Sequence, residues 1–146
     1  MPDTHILYSE LSYRIMKAAF EVHNTLGPGF LESIYEEALA CEFGLRGISF
    51  ERQRPVVVLY KGREIGVHRL DLVVEGQIIL ELKAVTALTD VFKQQVLSYL
   101  KATGLELGIL LNFGASRVQS VRIAYTMKDG RRDRECRESA NSADKS

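Results

Sequence analysis

Apolar residues recur at spacings of three and four along the start of the chain. Leu7, Leu11, Ile15, Ala18, Val22 and Leu26 keep that rhythm, which predicts an amphipathic helix from about Thr4, as its cap, to Leu26. Gly27-Pro28-Gly29 ends it, because Pro cannot continue a helix and Gly tolerates positive φ. Pro28 suits the first position of a second helix, read from Phe30 to Leu45 and stopped by Gly47. After Gln53 the rhythm changes. Pro55 to Tyr60 reads as a strand, Lys61-Gly62 as its turn, Glu64 to Val74 as a second strand and Ile78 to Val85 as a third, an antiparallel meander. Thr89 or Asp90 caps a helix from Val91 to about Thr103, closed by Gly104. Leu107 to Phe113 is an apolar run that fits a strand buried on both faces, and Val118 to Tyr125 alternates like an edge strand. The helix before Leu107 makes a crossover, so that strand is expected to lie parallel to a meander strand, inside the sheet.

From Lys128 the apolar rhythm is lost, and the stretch reads as a disordered tail. The expected organisation is one domain over residues 1–127 and a tail over 128–146. With 46% apolar residues the domain fills a core without disulfides. The two cysteines, Cys41 and Cys136, have no metal-site spacing, and Cys41 reads as a small buried hydrophobe in its helix. No signal-peptide core and no stretch near the roughly 20 apolar residues of a membrane span occur, so a cytoplasmic setting without membrane contact is expected.

Charge narrows the chemistry. The formal net charge is zero, and the tail hides no basic body: it holds six of the 19 basic and five of the 19 acidic residues. Any nucleic-acid footprint is therefore local. No His cluster for zinc, no Ser/His/Asp set and no glycine-rich phosphate loop is present. The chemistry-bearing pattern is Asp71 followed ten residues later by Glu81-Leu82-Lys83. Glu81 and Lys83 share a face of their strand, because alternate side chains point the same way. Whether Asp71 joins them depends on register. A two-residue loop at Glu75-Gly76 puts Asp71 and Glu81 on opposite faces; a three-residue loop ending at Gln77 puts them opposite each other and Arg69 beside Lys83. The apolar pattern favours the second register. It places Leu70, Leu72, Val74, Ile78, Leu80 and Leu82 on one face, with His68 packed among them. Two opposed carboxylates repel. They read either as a site for a hard cation such as Mg²⁺ or as a surface ion cluster neutralised by Lys83.

Two more features bear on the choice. Glu32, Tyr35 and Glu36 share a helical face, and Gln95 and Tyr99 share one with Phe92. Glu32 is also a favourable first-turn acid, and Gln95 also reads as a satisfied structural amide.

Taken together, Gly29-x-x-Glu32-x-x-Tyr35, Gln53, Tyr60-Lys-Gly62, His68-Arg-Leu-Asp71, Glu81-Leu-Lys83, Gln95-x-x-x-Tyr99 to Gly104, and Gly108 to Gly114 resemble the GxxExxY family of bacterial and archaeal proteins. The likeness runs from about residue 8 to 125. It implies a PD-(D/E)XK, restriction-endonuclease-like α/β fold: an αβββαβ core with a mixed sheet of about five strands, flanked by helices and preceded by an extra one. It further implies Asp71, Glu81 and the Leu82 carbonyl as ligands of Mg²⁺ or Mn²⁺, Lys83 as the catalytic lysine, Glu32 as a supplementary acid and Gln95 as a supporting amide. Leu70 stands where the eponymous Pro would precede Asp71. The expected function is a metal-dependent nuclease acting on DNA or RNA. The alternatives are a non-catalytic nucleic-acid-binding or interaction module, and a component active only within a complex. The expected edge strand Val118–Tyr125 offers a surface for a homodimer or partner.

Overall fold

The computed structural model describes residues 8–128 and 131–138. Thr4, His5 and Leu7, expected in the first helix, lie outside them. The elements run α1 (Ser9–Leu26), α2 (Glu32–Arg46), β1 (Phe50–Tyr60), β2 (Arg63–Val74), β3 (Ile78–Lys83), α3 (Asp90–Thr103), β4 (Leu107–Asn112), β5 (Gln119–Lys128) and β6 (Arg131–Glu138). The strands form one sheet in the order β1-β2-β3-β4-β5-β6. β3 and β4 are parallel, linked by α3, and every other neighbouring pair is antiparallel.

The apolar rhythm explains the layers. In α1, Ile15, Ala18, Ala19 and Val22 are buried, and in α2 so are Tyr35, Leu39 and Phe43. These stripes cover one face of the sheet, meeting Leu72, Val74, Leu80, Leu82, Ile109 and Leu111. The other face takes Val96, Leu97 and Leu100 of α3 against Leu70, Val73, Ile79 and Leu110. β3 and β4 are thus covered on both sides, as continuous apolar strands require. Each such fully buried Leu or Ile contributes roughly 1.5–3 kcal/mol relative to exposure.

Several expectations are corrected. α2 begins at Glu32, so Pro28 lies before the helix rather than in its first turn. Cys41 is exposed, because the buried stripe runs through Leu39, Ala40 and Phe43 and leaves position 41 facing outward. β1 starts five residues earlier than its apolar run, at Phe50. Within the stretch expected to be a disordered tail, Arg131–Glu138 pairs with β5 as a sixth strand. β5 is therefore not an edge, and the expected pairing of a second copy through Val118–Tyr125 loses its basis. Among the described residues the sheet edges are β1 and β6. Pro55 is tolerated in β1 because that strand has a free side.

Candidate active site at the parting of two strands

The β2–β3 turn sets the register. Glu75 and Gly76 both have positive φ, and Gln77 N–H donates to the Val74 carbonyl at 2.9 Å. This is the three-residue loop, and the ladder reads Val74↔Ile78, Val73↔Ile79, Leu72↔Leu80. Its next step would pair Asp71 with Glu81. There the ladder stops and side chains take over. Asp71 Oδ2 accepts from the Leu82 N–H at 2.8 Å, and Glu81 Oε1 accepts from the Asp71 N–H at 3.3 Å. Each acid is held by the backbone of the other's strand.

The same point turns β2 over. Leu72 packs with α1 and α2, yet Leu70, two residues earlier, packs with α3. His68 follows Leu70. Its ring stacks on Tyr99 of α3 at 4.1 Å and 13°, with Tyr99 OH 3.5 Å from Nδ1. Its Nε2 is buried without a partner. His68 thus packs on the face of Leu70, as expected, but the expectation that this face also holds Leu72 and Val74 is overturned. So is the placement of Arg69 beside Lys83: with both neighbours turned to α3, Arg69 faces the other way, and its guanidinium reaches the Gln53 carbonyl at 3.4 Å. The opposing residue contributes to the irregularity. Gln53 has φ 54°, and it is skipped in the pairing of β1 with β2.

Four acids from three elements converge on this gap. Glu32, at the first position of α2, accepts from the Ala84 N–H at 3.3 Å. Glu36, one turn on, is nearly buried; it accepts from Arg52 Nε at 3.1 Å and Gln53 Nε2 at 3.0 Å. Burial pushes the Asp71 carboxyl up, and Glu36 and Glu32 push it the same way, while the Leu82 N–H opposes them. Glu81 is pushed up to about 8, by burial first and the Asp71 charge second. Lys83 does not pair with either acid; its Nζ sits 4.5 Å above the Phe92 ring. Burial and the Lys83 charge push His68 down, and burial together with Glu81 and Asp71 pushes Tyr99 up to about 12. Gln95 is half-buried on the α3 face between Phe92 and Tyr99.

The loop that delivers Glu32 is built by the Gly29-Glu32-Tyr35 spacing. Gly29 has φ 117°, a conformation an L side chain resists. The Tyr35 hydroxyl donates to the Gly27 carbonyl at 2.5 Å and accepts from the Phe30 N–H at 3.2 Å, and its ring stacks on Phe113 at 4.8 Å. Tyr35 therefore ties both ends of the loop to the core. Asn112 fixes the other side. It is fully buried, accepts from the Val85 and Gly114 N–H groups, and donates to the Val85 carbonyl and to Gln119 Oε1. That clamp holds the chain just after Lys83. A Cβ at Gly114 would lie 2.4 Å from the Val85 backbone, so the close approach excludes any side chain there.

The structure brings Glu32, Asp71, Glu81, Leu82 and Lys83 to one locality, and Gln95 lies on α3 one turn from Phe92, over whose ring Lys83 sits. The sequence places Glu36 on the helical face of Glu32 without giving it a role in the site, and Asn112 carries no expectation. For Glu36 the available signal was its helical spacing from Glu32. Asn112 interrupts an apolar run, which is a signal for a satisfied buried amide.

Among the described residues no group of three or more His, Cys, Asp or Glu is close enough to hold a metal as it stands. The donor chemistry nonetheless suits a hard cation. Two carboxyl groups are crowded and held above their usual range, the state that a divalent charge relieves. Leu82 also turns its carbonyl to the gap: its N–H points to Asp71, whereas Lys83 directs its carbonyl to Phe113 N on the other side.

Acids set where a sheet opens, with a lysine two residues on and helices on both faces, define a nuclease-like α/β protein. A sequence profile of the PD-(D/E)XK nuclease superfamily matches residues 9–123, and the chain belongs to that superfamily. No curated protein and no solved structure matches the chain. No helix among the described residues is long and apolar enough to cross a membrane.

Proposed function

We propose that the protein is a divalent-metal-dependent nuclease, hydrolysing phosphodiester bonds from the gap between β2 and β3, and that it belongs to the GxxExxY group of its superfamily. The observation carrying this reading is the crowding of Asp71 and Glu81, whose carboxyls are both held above their ordinary range. A plain surface cluster would relax by turning its side chains to water. These two are instead fixed by the Leu82 and Asp71 N–H groups.

Asp71, Glu81 and the Leu82 carbonyl would hold Mg²⁺ or Mn²⁺, which take oxygen ligands and leave positions for water and phosphate. When bound, the ion supplies Lewis acidity and a more acidic water. Glu32, exposed at the mouth, orients water by accepting its hydrogen bond. Lys83 lifts from Phe92 to place its ammonium against negative charge developing on the phosphate oxygens. Gln95 supports that position with its amide.

The test is cleavage of single- and double-stranded DNA and RNA by the full chain with Mg²⁺ or Mn²⁺. Metal-dependent cutting that disappears in Asp71→Asn supports the reading. Nucleic-acid binding in chelator with no turnover on adding metal supports a non-catalytic module instead.

A further inference from the structure

β1 and β2 pair from Phe50↔Val74 to Tyr60↔Arg63, with Gln53 skipped and a register shift after Val58 that leaves Ile65 unpaired. The helices cover only part of that ribbon. Val56 and Leu70 are the last buried side chains, and every residue from Val57 round to Val67 is exposed. A bare two-stranded ribbon is marginal in water. Here it also carries a run of large apolar side chains, which marks a surface meant to be covered.

Its two faces have an ordered composition. Val67 and Arg69 share one face of β2 with Val57 opposite Val67; beyond the register shift at Ile65, Arg63 and Tyr60 face each other on the other side. Ile65, Val67 and Tyr60 are 64%, 60% and 58% exposed. Along the ribbon, apolar side chains on both faces thus lie between the cations of the tip and Arg69 at the root, Arg63 and Arg69 being about 20 Å apart at roughly 3.3 Å per residue. Charge concentrates here too. Beyond Arg54, which pairs with Glu51 at 3.4 Å, residues 55–69 hold Lys61, Arg63 and Arg69 against Glu64, two net positive charges in a chain whose total is zero.

We propose that this β1–β2 ribbon is a docking arm for double-stranded DNA. A two-stranded ribbon fits the B-form major groove, where methyl-bearing side chains meet base edges and flanking cations meet phosphates. The major groove of an RNA duplex is too deep and narrow for it. Single strands are bound on aromatic platforms, and Tyr60 is the ribbon's lone aromatic side chain beyond Val56. The ribbon's β2 strand leads from Arg69 directly to Asp71. In this respect the inference rests on the nuclease reading, since it treats Asp71 as the place to which the arm delivers a backbone.

Binding in chelator separates the two ideas, because it requires no turnover. The full chain is titrated by fluorescence anisotropy onto labelled duplex DNA of about two helical turns, the matching single strand and the matching RNA duplex, across a salt series. The expected result is tightest binding to duplex DNA. Lys61→Ala with Arg63→Ala weakens it at least about 10-fold and lowers the salt slope by about 2. Ile65→Thr with Val67→Thr weakens it at an unchanged slope. If a pair lowers the melting temperature, Arg63→Glu alone carries the same expectation. Unchanged affinity in these variants overturns the arm. So does equal or tighter binding of single strand or RNA duplex, or a dimer in solution that the same substitutions dissociate.

Discussion

Asp71 and Glu81 each hang from the main chain of the opposite strand: the Asp71 N–H donates to Glu81 Oε1 at 3.3 Å, and Asp71 Oδ2 accepts from the residue after Glu81 at 2.8 Å. These bonds replace the ladder that ends at Leu72↔Leu80. Asp71→Asn keeps the shape but weakens a charge-assisted acceptor and removes a metal ligand. Cleavage falls by at least about 10²-fold while circular dichroism stays native, as measured with Mg²⁺ on any substrate the wild type cuts.

Glu81 gives a pH signature. Its folded-state carboxyl titrates near 8, against 4.5 for the free group. Between those values the folded chain holds a proton that the unfolded chain has lost, so stability declines as pH rises through that window and levels above it. Glu81→Gln reduces the decline and leaves the part contributed by Asp71, whose carboxyl burial also pushes up. The variant's melting temperature matches the wild type near pH 4.5 and exceeds it at pH 8, by a margin on the order of 2 kcal/mol in denaturant titrations.

Lys83 reports on chemistry separately from folding. Its ammonium rests on Phe92 and forms no ion pair with the acids, so Lys83→Met retains the packing of the stem. Unfolding free energy changes by less than about 1 kcal/mol, whereas kcat drops at least about 10²-fold with KM little changed.

Tyr35→Phe keeps the stack on Phe113 and deletes the hydroxyl that joins Gly27 to Phe30. Two backbone groups lose their partner, costing about 1–2 kcal/mol. Because that loop places Glu32, activity also falls, and the loss is larger for kcat than for KM. Denaturant titration and steady-state kinetics on the same sample check both.

Asn112→Leu tests the clamp behind Lys83. The substitution leaves the Val85 N–H and carbonyl without their buried partners, at a cost of about 2–4 kcal/mol. A chain that melts at the wild-type temperature would contradict the role assigned to this amide.

Much of this arrangement was legible in the residues. The order of elements followed from apolar rhythm, and the Asp71–Glu81 register followed from requiring one continuous apolar face at Leu70, Leu72, Val74, Ile78, Leu80 and Leu82, of which Leu70 alone lies on the other side. The parallel placing of β4 followed from the α3 crossover. What escaped was the change of face at Asp71. Alternation holds only along an unbroken strand, and nothing in His68-Arg69-Leu70 signals that Gln53 opposite would adopt a left-handed backbone. That single irregularity moved His68 to Tyr99 and Arg69 away from Lys83. The strand at Arg131–Glu138 escaped for another reason: its sequence has no apolar alternation, so its pairing with β5 rests on main-chain bonds that composition does not advertise.

Because the two acids belong to strands that part at Leu72 and Leu80, they ride on different bodies. Glu81 is anchored in the centre of the sheet, whereas Asp71 stands at the root of a lever whose far end is bare. Leverage applied at Lys61 and Gly62 is carried down β2 to Asp71 first, and reaches Glu81 only through the two bonds that tie each acid to the other's strand. The distance between the two carboxyls is thereby exposed to whatever grips the tip.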